Sequence, residues 1–593
     1  MSAIVPPRMA VFDWVIVGFY IASAIAIGAW FTRRASKSTS DFFVAGRSLG
    51  WFVAGTSIVA TTFAADTPVF IAGMTRDEGI FSNWFWWSIL IGQVATATVF
   101  ARLWRRSEVI TDVEFVQLRY GDGPKTRFLR IFKSLLEGVG RNCMIMAAVT
   151  LAMVKVVQVL LGIEPGDLFL GIDATWVVLG VLGLIALLYS ALSGLYGVVY
   201  TDIIQFALAM IGSIGLAVIA YLDASSGEGL MARLAAAPDF KETLLDFVPR
   251  FETFDIAAFT FVVYIIMSWW ASAPGSGYAV QRLLATRTER DARLAFLWYA
   301  FCHYVLRPWP WIIVGLLSLI YFPGIEDPER AFPLMIDHFL PVGLKGAMVA
   351  AMLAAYMSTM DTHLNWGASY IVNDVYEPYV RPGRGQREYV MVARITMVVL
   401  TALALLVATE LTSILDAFKF LAVFAAGLGT VMIARWFWWR VNALTEIVAI
   451  AATIVVASGT LMWLPDVVHA DGTKDDLFAV RLLISTVAVT AAWLPVALFY
   501  GRINPATIAF QKKMRVGGPG WKAVGPVGAR GSLGRDSVEW AVCTVCLLSL
   551  LIGSGKLLFH EWVFGGGLLA VGVVAGWFLL MIMQNQPKVA KTP

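Results

Sequence analysis

The stretch GTSIVATTFAADTP, from Gly55 to Pro68, carries more information about the fold than any other part of the chain. It begins as an apolar segment suited to crossing a membrane, but it continues with hydroxyl side chains, an acid and a proline. The stretch SAPGSGY, from Ser272 to Tyr278, interrupts a second apolar segment in the same way. Proline lacks a backbone donor and glycine weakens a helix, so both segments are predicted to be helices that break within a bilayer.

Composition assigns the whole chain to a membrane. Of its 593 residues, 59% are hydrophobic and 15% are charged, whereas a soluble domain carries about 25% charged residues. The 45 basic and 41 acidic residues give a net charge of +4, which does not favour a nucleic-acid partner. The lipid bilayer is therefore an expected partner, and nucleic acid is not.

Fifteen apolar segments are long enough, at about 20 residues each, to cross the bilayer. They begin near Val11, Trp51, Asn83, Phe128, Trp176, Val198, Ala257, Leu294, Leu344, Val390, Leu411, Leu444, Phe478, Val538 and Trp562. No small-residue cleavage site follows the first segment, so it is interpreted as a span and not as a signal peptide. The chain is thus predicted to be an all-α polytopic membrane protein.

The charges of the loops alternate along the chain and predict its orientation. Basic loops are assigned to the cytoplasm by the positive-inside rule, and they lie at 33–47, 105–130, 282–293, 381–394 and 501–535. The acidic or mixed loops between them, at 75–78, 164–173, 326–337 and 466–476, are assigned to the outside. We therefore expect a multi-pass protein of the cell inner membrane, with its N-terminus outside and its C-terminus in the cytoplasm.

Each of the two broken segments opens a stretch of five predicted spans, and the two stretches have opposite orientation. This pattern is typical of the inverted repeats of secondary transporters, whose unwound helices expose carbonyl oxygens to ions and solutes. Two unrelated proline kinks are the alternative. The predicted organisation is an extra N-terminal span and cytoplasmic loop at 1–50, a first five-helix repeat at 51–222, an external loop or amphipathic helix at 223–253, a second, inverted repeat at 254–440, and additional spans at 441–593 with a basic cytoplasmic linker at 501–535.

Several motifs follow one another in the order found in the sodium:solute symporter family. They are DFFVAGRSLGW at 41–51, the stretch at 55–68, YTDIIQ at 200–205, QR at 281–282 and AAYMSTMDTHLN at 354–365. Together they make residues 10–440 resemble that family. The resemblance implies the LeuT-type fold, a five-plus-five inverted repeat with extra N- and C-terminal transmembrane helices. It also implies that the chain is no enzyme but a symporter that couples Na+ to a small solute by alternating access.

The last of these motifs places hydroxyl groups on one face of a helix. Ser358, Thr359 and Thr362 share this face with Ala355, because they are spaced by three and four residues. Sodium is a hard cation that prefers oxygen ligands. The resemblance implies a sodium site formed by the carbonyls of Ala60, Phe63 and Ala355 and the hydroxyls of Ser358 and Thr359. Close packing of small residues between membrane helices is the alternative explanation.

Asp202 is an acid in an otherwise apolar segment, where an ionised carboxylate needs a partner or a function. The resemblance implies a possible second sodium site formed by Asp202, Ser358, Asp361 and Thr362. This chain carries Asp361 where the family commonly has a hydroxyl, so two carboxylates would bind the ion firmly or one would stay protonated. Alternatively, Asp202 lies at the cytoplasmic surface and caps its helix.

Polar and aromatic side chains within the spans are candidates for binding the solute. They are Asp66, Thr67, Arg141, Trp269, Ser276, Tyr278 and Lys419. Arg141 is predicted to hold a carboxylate with two hydrogen bonds, unless it only neutralises Glu137 one turn earlier. We therefore expect a small polar solute, first a sugar acid or another carboxylate. A neutral sugar, an amino acid, and a membrane sensor of the same fold without transport are the alternatives.

Two further charges in the spans have structural explanations. Arg307 precedes Pro308 and is suited to brace a kink by donating to the carbonyls that the kink frees. Lys419 has Asp416 one turn away, so these two residues are suited to neutralise each other.

Overall fold

The computed structural model describes residues 9–35, 44–164, 166–227, 229–252, 255–468, 474–525 and 533–584. The helices up to the second break are α1 (Val11–Ala35), α2 (Trp51–Thr62), α3 (Asp66–Glu78), α4 (Ile80–Ser107), α5 (Phe115–Tyr120), α6 (Pro124–Leu161), α7 (Ala174–Ala224), α8 (Leu230–Ala235), α9 (Ile256–Ser272) and α10 (Gly277–Leu284). The later helices are α11 (Glu289–Tyr321), α12 (Ala331–Phe339), α13 (Leu344–Tyr370), α14 (Gln386–Glu410), α15 (Ile414–Phe437), α16 (Ala443–Trp463), α17 (Phe478–Tyr500), α18 (Pro505–Met514), α19 (Leu533–Leu558) and α20 (Trp562–Gln584). Short antiparallel hairpins pair β1 (Leu168–Phe169) with β2 (Ile172–Asp173) and β3 (Val467–Val468) with β4 (Lys474–Asp475).

The two predicted breaks are confirmed. The helices α2 and α3 meet at an angle of 55°, and α9 and α10 meet at 48°. In the first break, Phe63 leaves the helical region with φ −89° and ψ 63°, and Pro68 lies in the first turn of α3, where no backbone donor is needed. In the second break, Gly275 and Gly277 have φ of +84° and +63°, values that other residues rarely adopt.

The predicted spans fall on helices of the structure. By length and composition, ten helices in the described ranges can cross a membrane, or twelve if each bent pair forms one span. The remaining three predictions fall on shorter apolar helices, Val11–Ala24 and Ala174–Ser190, and on α13. A total of fifteen spans stays a prediction.

The helix α13 is the centre of the bundle. All of its residues except Leu344 and Ala347 are buried, and its middle carries Asp361 and His363. Polar side chains within a membrane protein avoid lipid and face other helices or a cavity. The outermost helix is the opposite case, since only 6% of the apolar window of α20 is buried. The structure thus separates a polar centre from an apolar, lipid-facing periphery.

The long helix α7 is not straight. The Tyr189 hydroxyl lies 2.6 Å from the Thr201 hydroxyl, although the two residues are twelve positions apart. Twelve residues of straight helix would cover about 18 Å, more than these two side chains can bridge. The helix axis therefore bends between them, which agrees with the separate spans predicted to begin near Trp176 and Val198.

Loops that were predicted to lie on the same side of the membrane contact each other. On one side, the backbone of Leu49 pairs with Ala285 and Arg287, both at 3.0 Å. On the other side, Arg330 pairs with Glu164 at 3.7 Å. These contacts agree with the alternation of the loops, while the assignment of one side to the cytoplasm stays a prediction.

Two connecting segments carry short helical elements. The described part of 223–253 contains α8 and a 3-10 turn at Glu242–Leu245, which is closer to the predicted loop than to a long amphipathic helix. Within the predicted linker, the described part 501–525 contains α18 and a 3-10 turn at Pro519–Trp521. Phe510 and Trp521 from this segment stack on each other, with ring centroids 5.8 Å apart, and the Arg119 guanidinium lies 5.0 and 5.1 Å from the two centroids. Aromatic packing, which the basic composition concealed, fixes the segment against the bundle.

The alternation of the loops can be tested with single cysteines. Glu326 and Arg384 are exposed and lie on loops assigned to opposite sides. We expect Glu326→Cys to react with a membrane-impermeant maleimide in intact cells, and Arg384→Cys to react only after the membrane is permeabilised. The unsubstituted protein is the control, because its four cysteines are all buried. Equal labelling of both variants in intact cells would contradict the predicted topology.

Candidate functional site

The first break lies against the helix that carries the predicted hydroxyl ligand Thr359. The Thr359 hydroxyl of α13 lies 2.9 Å from the carbonyl oxygen of Thr61 and 3.0 Å from that of Ala355. The carbonyl of Ala60 accepts only a 3.1 Å bond from the N–H of Phe63, where the helix ends. The groups at this point are neutral hydroxyl and carbonyl oxygens, which fit a hard monovalent cation. That sodium binds here stays a prediction.

Arg307 completes the first break. Its guanidinium donates to the carbonyl of Val59 at 2.9 Å and to the carbonyl and hydroxyl of Thr62, both at 3.0 Å. It lies over the rings of Phe63 and Trp311, at 5.5 and 5.3 Å, and is fully buried. Arg307 thus donates to backbone carbonyls at a helix break, as predicted, but to those in the last turn of α2 and not to those of its own helix.

Asp202 forms hydrogen bonds to two helices of the site, α2 and α13. It is fully buried and accepts hydrogen bonds from Ser57 of α2 at 2.6 Å and from Ser358 of α13 at 2.5 Å. Asp202 therefore does not cap a helix at the membrane surface. The Arg282 guanidinium, also fully buried, contacts Ser57 at 3.2 Å and Thr362 at 2.7 Å. A permanent cation thus lies among the residues predicted to hold a second sodium.

The remaining member of that predicted set, Asp361, is also fully buried. It neighbours Thr362, whose hydroxyl lies 3.2 Å from that of Thr61 in the first break. The structure therefore connects the two predicted ion sites through adjacent hydroxyl groups.

Arg141, in α6, contacts the second break. Its Nη1 donates to Glu137 at 3.0 Å and to the Ser276 hydroxyl at 3.3 Å. The Arg141 side chain is 36% exposed, and that of Glu137 is 16% exposed. Both interpretations of Arg141 thus have a structural basis: it forms an ion pair with Glu137, and it also reaches the break where a solute would lie.

The start of α3 and the start of α10 contribute the other polar groups. Thr67 donates across the first break to the carbonyl of Thr62 at 3.1 Å, and Asp66 beside it is 3% exposed. Asp66 interacts electrostatically with Arg307. Tyr278 is the second residue of α10, directly after the second break.

Two predicted solute contacts lie elsewhere. Trp269 packs against Trp540 of α19, with ring centroids 5.1 Å apart, because it precedes the second break on the side that contacts the C-terminal helices. Lys419 lies near the start of α15 and forms an ion pair with Asp476, close to the start of α17. The partner is not Asp416, because the loop before α17 brings a carboxylate nearer to the amine.

Three residues of the network had no predicted role. Ser57 donates a hydrogen bond to Asp202, and Arg282 donates one to Thr362. The His363 ring lies beside Tyr278, with ring centroids 5.3 Å apart. The sequence places Arg282 at the edge of the basic loop 282–293, but in the structure it lies in α10 and is fully buried. His363 gave a weaker signal, since it stood in the motif at 354–365 without a role of its own.

The role of Arg307 can be tested by thermal unfolding in detergent. We expect Arg307→Gln to lower stability by about 2–5 kcal/mol, because it removes the buried charge-assisted hydrogen bonds to Val59 and Thr62. Arg307→Lys should recover part of the loss, since an ammonium group replaces some of the donors. The matched control is Arg387→Gln, which removes an exposed guanidinium. Equal unfolding midpoints for the two glutamine variants would show that Arg307 does not hold the break.

Comparisons with known proteins agree with this architecture. Residues 42–455 match the sodium:solute symporter family. The chain is 27% identical over 476 residues to the sodium/glucose cotransporter of Vibrio parahaemolyticus, covering 75% of this chain and 84% of that protein. It is 26% identical over 432 residues to the sodium/mannose cotransporter SLC5A10 of Bos taurus, covering 67% and 69%. It is 25% identical over 429 residues to the human sodium/myo-inositol cotransporter 2, covering 66% and 60%.

A solved structure shows the same fold. A Na+-coupled sialic acid symporter, in a substrate-bound outward-open state, superposes with a TM-score of 0.62 at 20% identity, covering 82% of this chain and 98% of that chain. The expectation of a LeuT-type polytopic membrane protein is therefore confirmed. Since the family match spans most of the chain, this protein belongs to the sodium:solute symporter family, whose members are transporters and not enzymes.

Proposed function

We propose that this protein takes up a neutral polyhydroxylated solute, a sugar or a polyol, together with sodium. The observation that carries the proposal is the position of the Thr359 hydroxyl, which faces the unwound end of α2 within 3.0 Å of two carbonyl oxygens. An unwound carbonyl facing a hydroxyl of another helix is the kind of site at which secondary transporters bind their coupling ion. The transport would run across the inner membrane, with the C-terminus in the cytoplasm.

Sodium would be held by the groups that the sequence predicts. The ligands are the carbonyls of Ala60, Phe63 and Ala355 and the hydroxyls of Ser358 and Thr359. A bound cation at this position supplies an electrostatic connection between α2 and α13. Conformations that keep the two helices together are then favoured, because an ion shifts an equilibrium toward the state that binds it better.

Coupling follows from the position of α3. The same break that offers carbonyls to sodium also begins α3, whose first residues are Asp66 and Thr67. Thr67 already donates across the break to Thr62. An ion that fixes this break therefore also fixes the polar groups that would contact the solute, and the ordering is completed before the solute binds.

A neutral solute is favoured by the partner of Arg141. The guanidinium is paired with Glu137 at 3.0 Å, so its charge is already balanced without an anionic ligand. Asp66 at the first break is an acceptor suited to hydroxyl donors. The sugar and polyol named for the three relatives are neutral as well.

A carboxylate solute is the second candidate, as the sequence first suggested. It is supported by the 3.3 Å contact of Arg141 with Ser276 and by the partial exposure of the Arg141 side chain. A carboxylate would then replace Glu137 as the partner of the guanidinium.

Sodium coupling can be tested with a matched pair of threonines. Thr359→Val is expected to raise the sodium concentration for half-maximal uptake about tenfold or more, because one ligand is lost. Thr396→Val is the control, since Thr396 donates to the carbonyl one turn earlier at 2.9 Å, as Thr359 does, but lies on α14. The measurement is uptake of D-glucose, D-mannose and myo-inositol into proteoliposomes. Equal uptake in sodium, potassium and choline would reject sodium symport.

The charge of the solute can be tested by removing the ion pair. Glu137→Gln and Arg141→Gln are each expected to reduce sugar uptake roughly 10- to 100-fold, because each leaves one charge unpaired. The double variant should regain most of this uptake if the solute is neutral. Two results together would favour the carboxylate candidate instead. The unsubstituted protein would take up a sugar acid, and both the Arg141→Gln variant and the double variant would lose uptake.

A further inference from the structure

His363 lies one turn beyond Thr359 in α13. Its side chain is 2% exposed. The Nδ1 atom lies 2.6 Å from the side-chain oxygen of Asn142, which follows Arg141 in α6. A histidine held this firmly by a neighbour has a fixed ring orientation.

The surroundings of Asn142 determine which nitrogen of His363 carries the proton. The amide Nδ2 of Asn142 lies 3.2 Å from the carbonyl of Gly138 and 2.8 Å from the carbonyl of His363. An atom with two carbonyl oxygens as neighbours must be the NH2 group, so the atom facing the imidazole is the amide oxygen. That oxygen is an acceptor, and therefore Nδ1 of His363 is the donor. In a neutral imidazole the other nitrogen, Nε2, is then an acceptor.

The ring of His363 lies beside the second break. Its centroid is 5.3 Å from that of Tyr278, the second residue of α10, and 5.5 Å from that of Trp366. The chain neighbour of its partner Asn142 is Arg141, which contacts Ser276 in the same break. Within the described parts of the chain, Nδ1 has its partner in Asn142, and none of the hydrogen bonds found there uses Nε2.

We propose that His363 recognises the solute by accepting a hydrogen bond from one of its hydroxyl groups through Nε2. The inference rests on the proposed function and adds to it: a solute with hydroxyl donors fits an acceptor that Asn142 holds in one tautomer. The partly exposed ring of Tyr278 lies beside the imidazole, with centroids 5.3 Å apart, and offers an aromatic surface to a ring-shaped sugar or polyol. Asn142 acts as a positioning residue, because it touches the imidazole and not the solute.

The first test combines a substitution with solute analogues. His363→Phe keeps an aromatic ring but lacks the acceptor. We expect its affinity for D-glucose in sodium-driven uptake to fall roughly 10- to 100-fold. For the single-deoxy analogue that lacks the recognised hydroxyl, the unsubstituted protein and the variant should have equally low affinity. An equal loss for D-glucose and for every single-deoxy analogue would overturn the inference, because the effect would then be structural.

Sodium-dependent thermal stabilisation controls for folding in this comparison. It should be unchanged in His363→Phe, since the predicted sodium ligands do not include His363. If the unsubstituted protein takes up none of D-glucose, D-mannose and myo-inositol, the proposed function itself fails. That outcome is seen without any variant and is therefore distinguishable from a failure of the inference about His363.

A second measurement uses the unsubstituted protein. The chain has five histidines, so nitrogen NMR of protein labelled only at histidine yields few signals, and His363→Gln identifies the one that belongs to His363. We expect Nδ1 to be protonated and Nε2 to be unprotonated, and D-glucose in sodium to shift the Nε2 signal. A protonated Nε2 in the solute-free protein, or a signal that D-glucose leaves unchanged, would overturn the inference.

Discussion

An unwound backbone within a membrane exists only where other groups satisfy its freed carbonyls and amides. At the first break, Arg307 and Thr359 supply those partners from α11 and α13. At the second break, the N–H of Gly277 donates to Asp112 at 3.1 Å. Each break therefore depends on tertiary contacts, because its hydrogen-bond partners lie on segments that are distant in the sequence. The side chains that hydrogen-bond the broken helices lie on α13 or against it. The bundle therefore has a polar centre around α13.

Close helix contacts make this arrangement possible. A Cβ at Gly55 of α2 would lie 2.5 Å from the carbonyl oxygen of Ala295 in α11, and a Cβ at Gly315 of α11 would lie 2.5 Å from that of Ala72 in α3. Both sites exclude any side chain, so α11 packs directly on both halves of the first broken helix. Between Ala295 and Gly315 along α11 lies Arg307, which therefore reaches the break without leaving the protein interior.

The sequence predicts the features that depend on local composition. The apolar spans, the breakers at Pro68 and Gly275 and the shared face of Ser358 and Thr359 are all properties of neighbouring residues. The partners of charged side chains depend instead on which helices meet. Lys419 could therefore be recognised as a charge in a span, but its pairing with Asp476 depends on a loop whose position no local pattern encodes.

The π-helical segment Leu136–Arg141 within α6 has a consequence for how such a site can arise. A π turn is a single extra residue accommodated in an otherwise regular helix. The carbonyl of Gly138 in this segment accepts from the side chain of Asn142. Deleting one residue here would restore a regular α-helix. The deletion would shift the register between Gly138 and Asn142, so one inserted residue sets how the Asn142 side chain meets the carbonyl that it contacts.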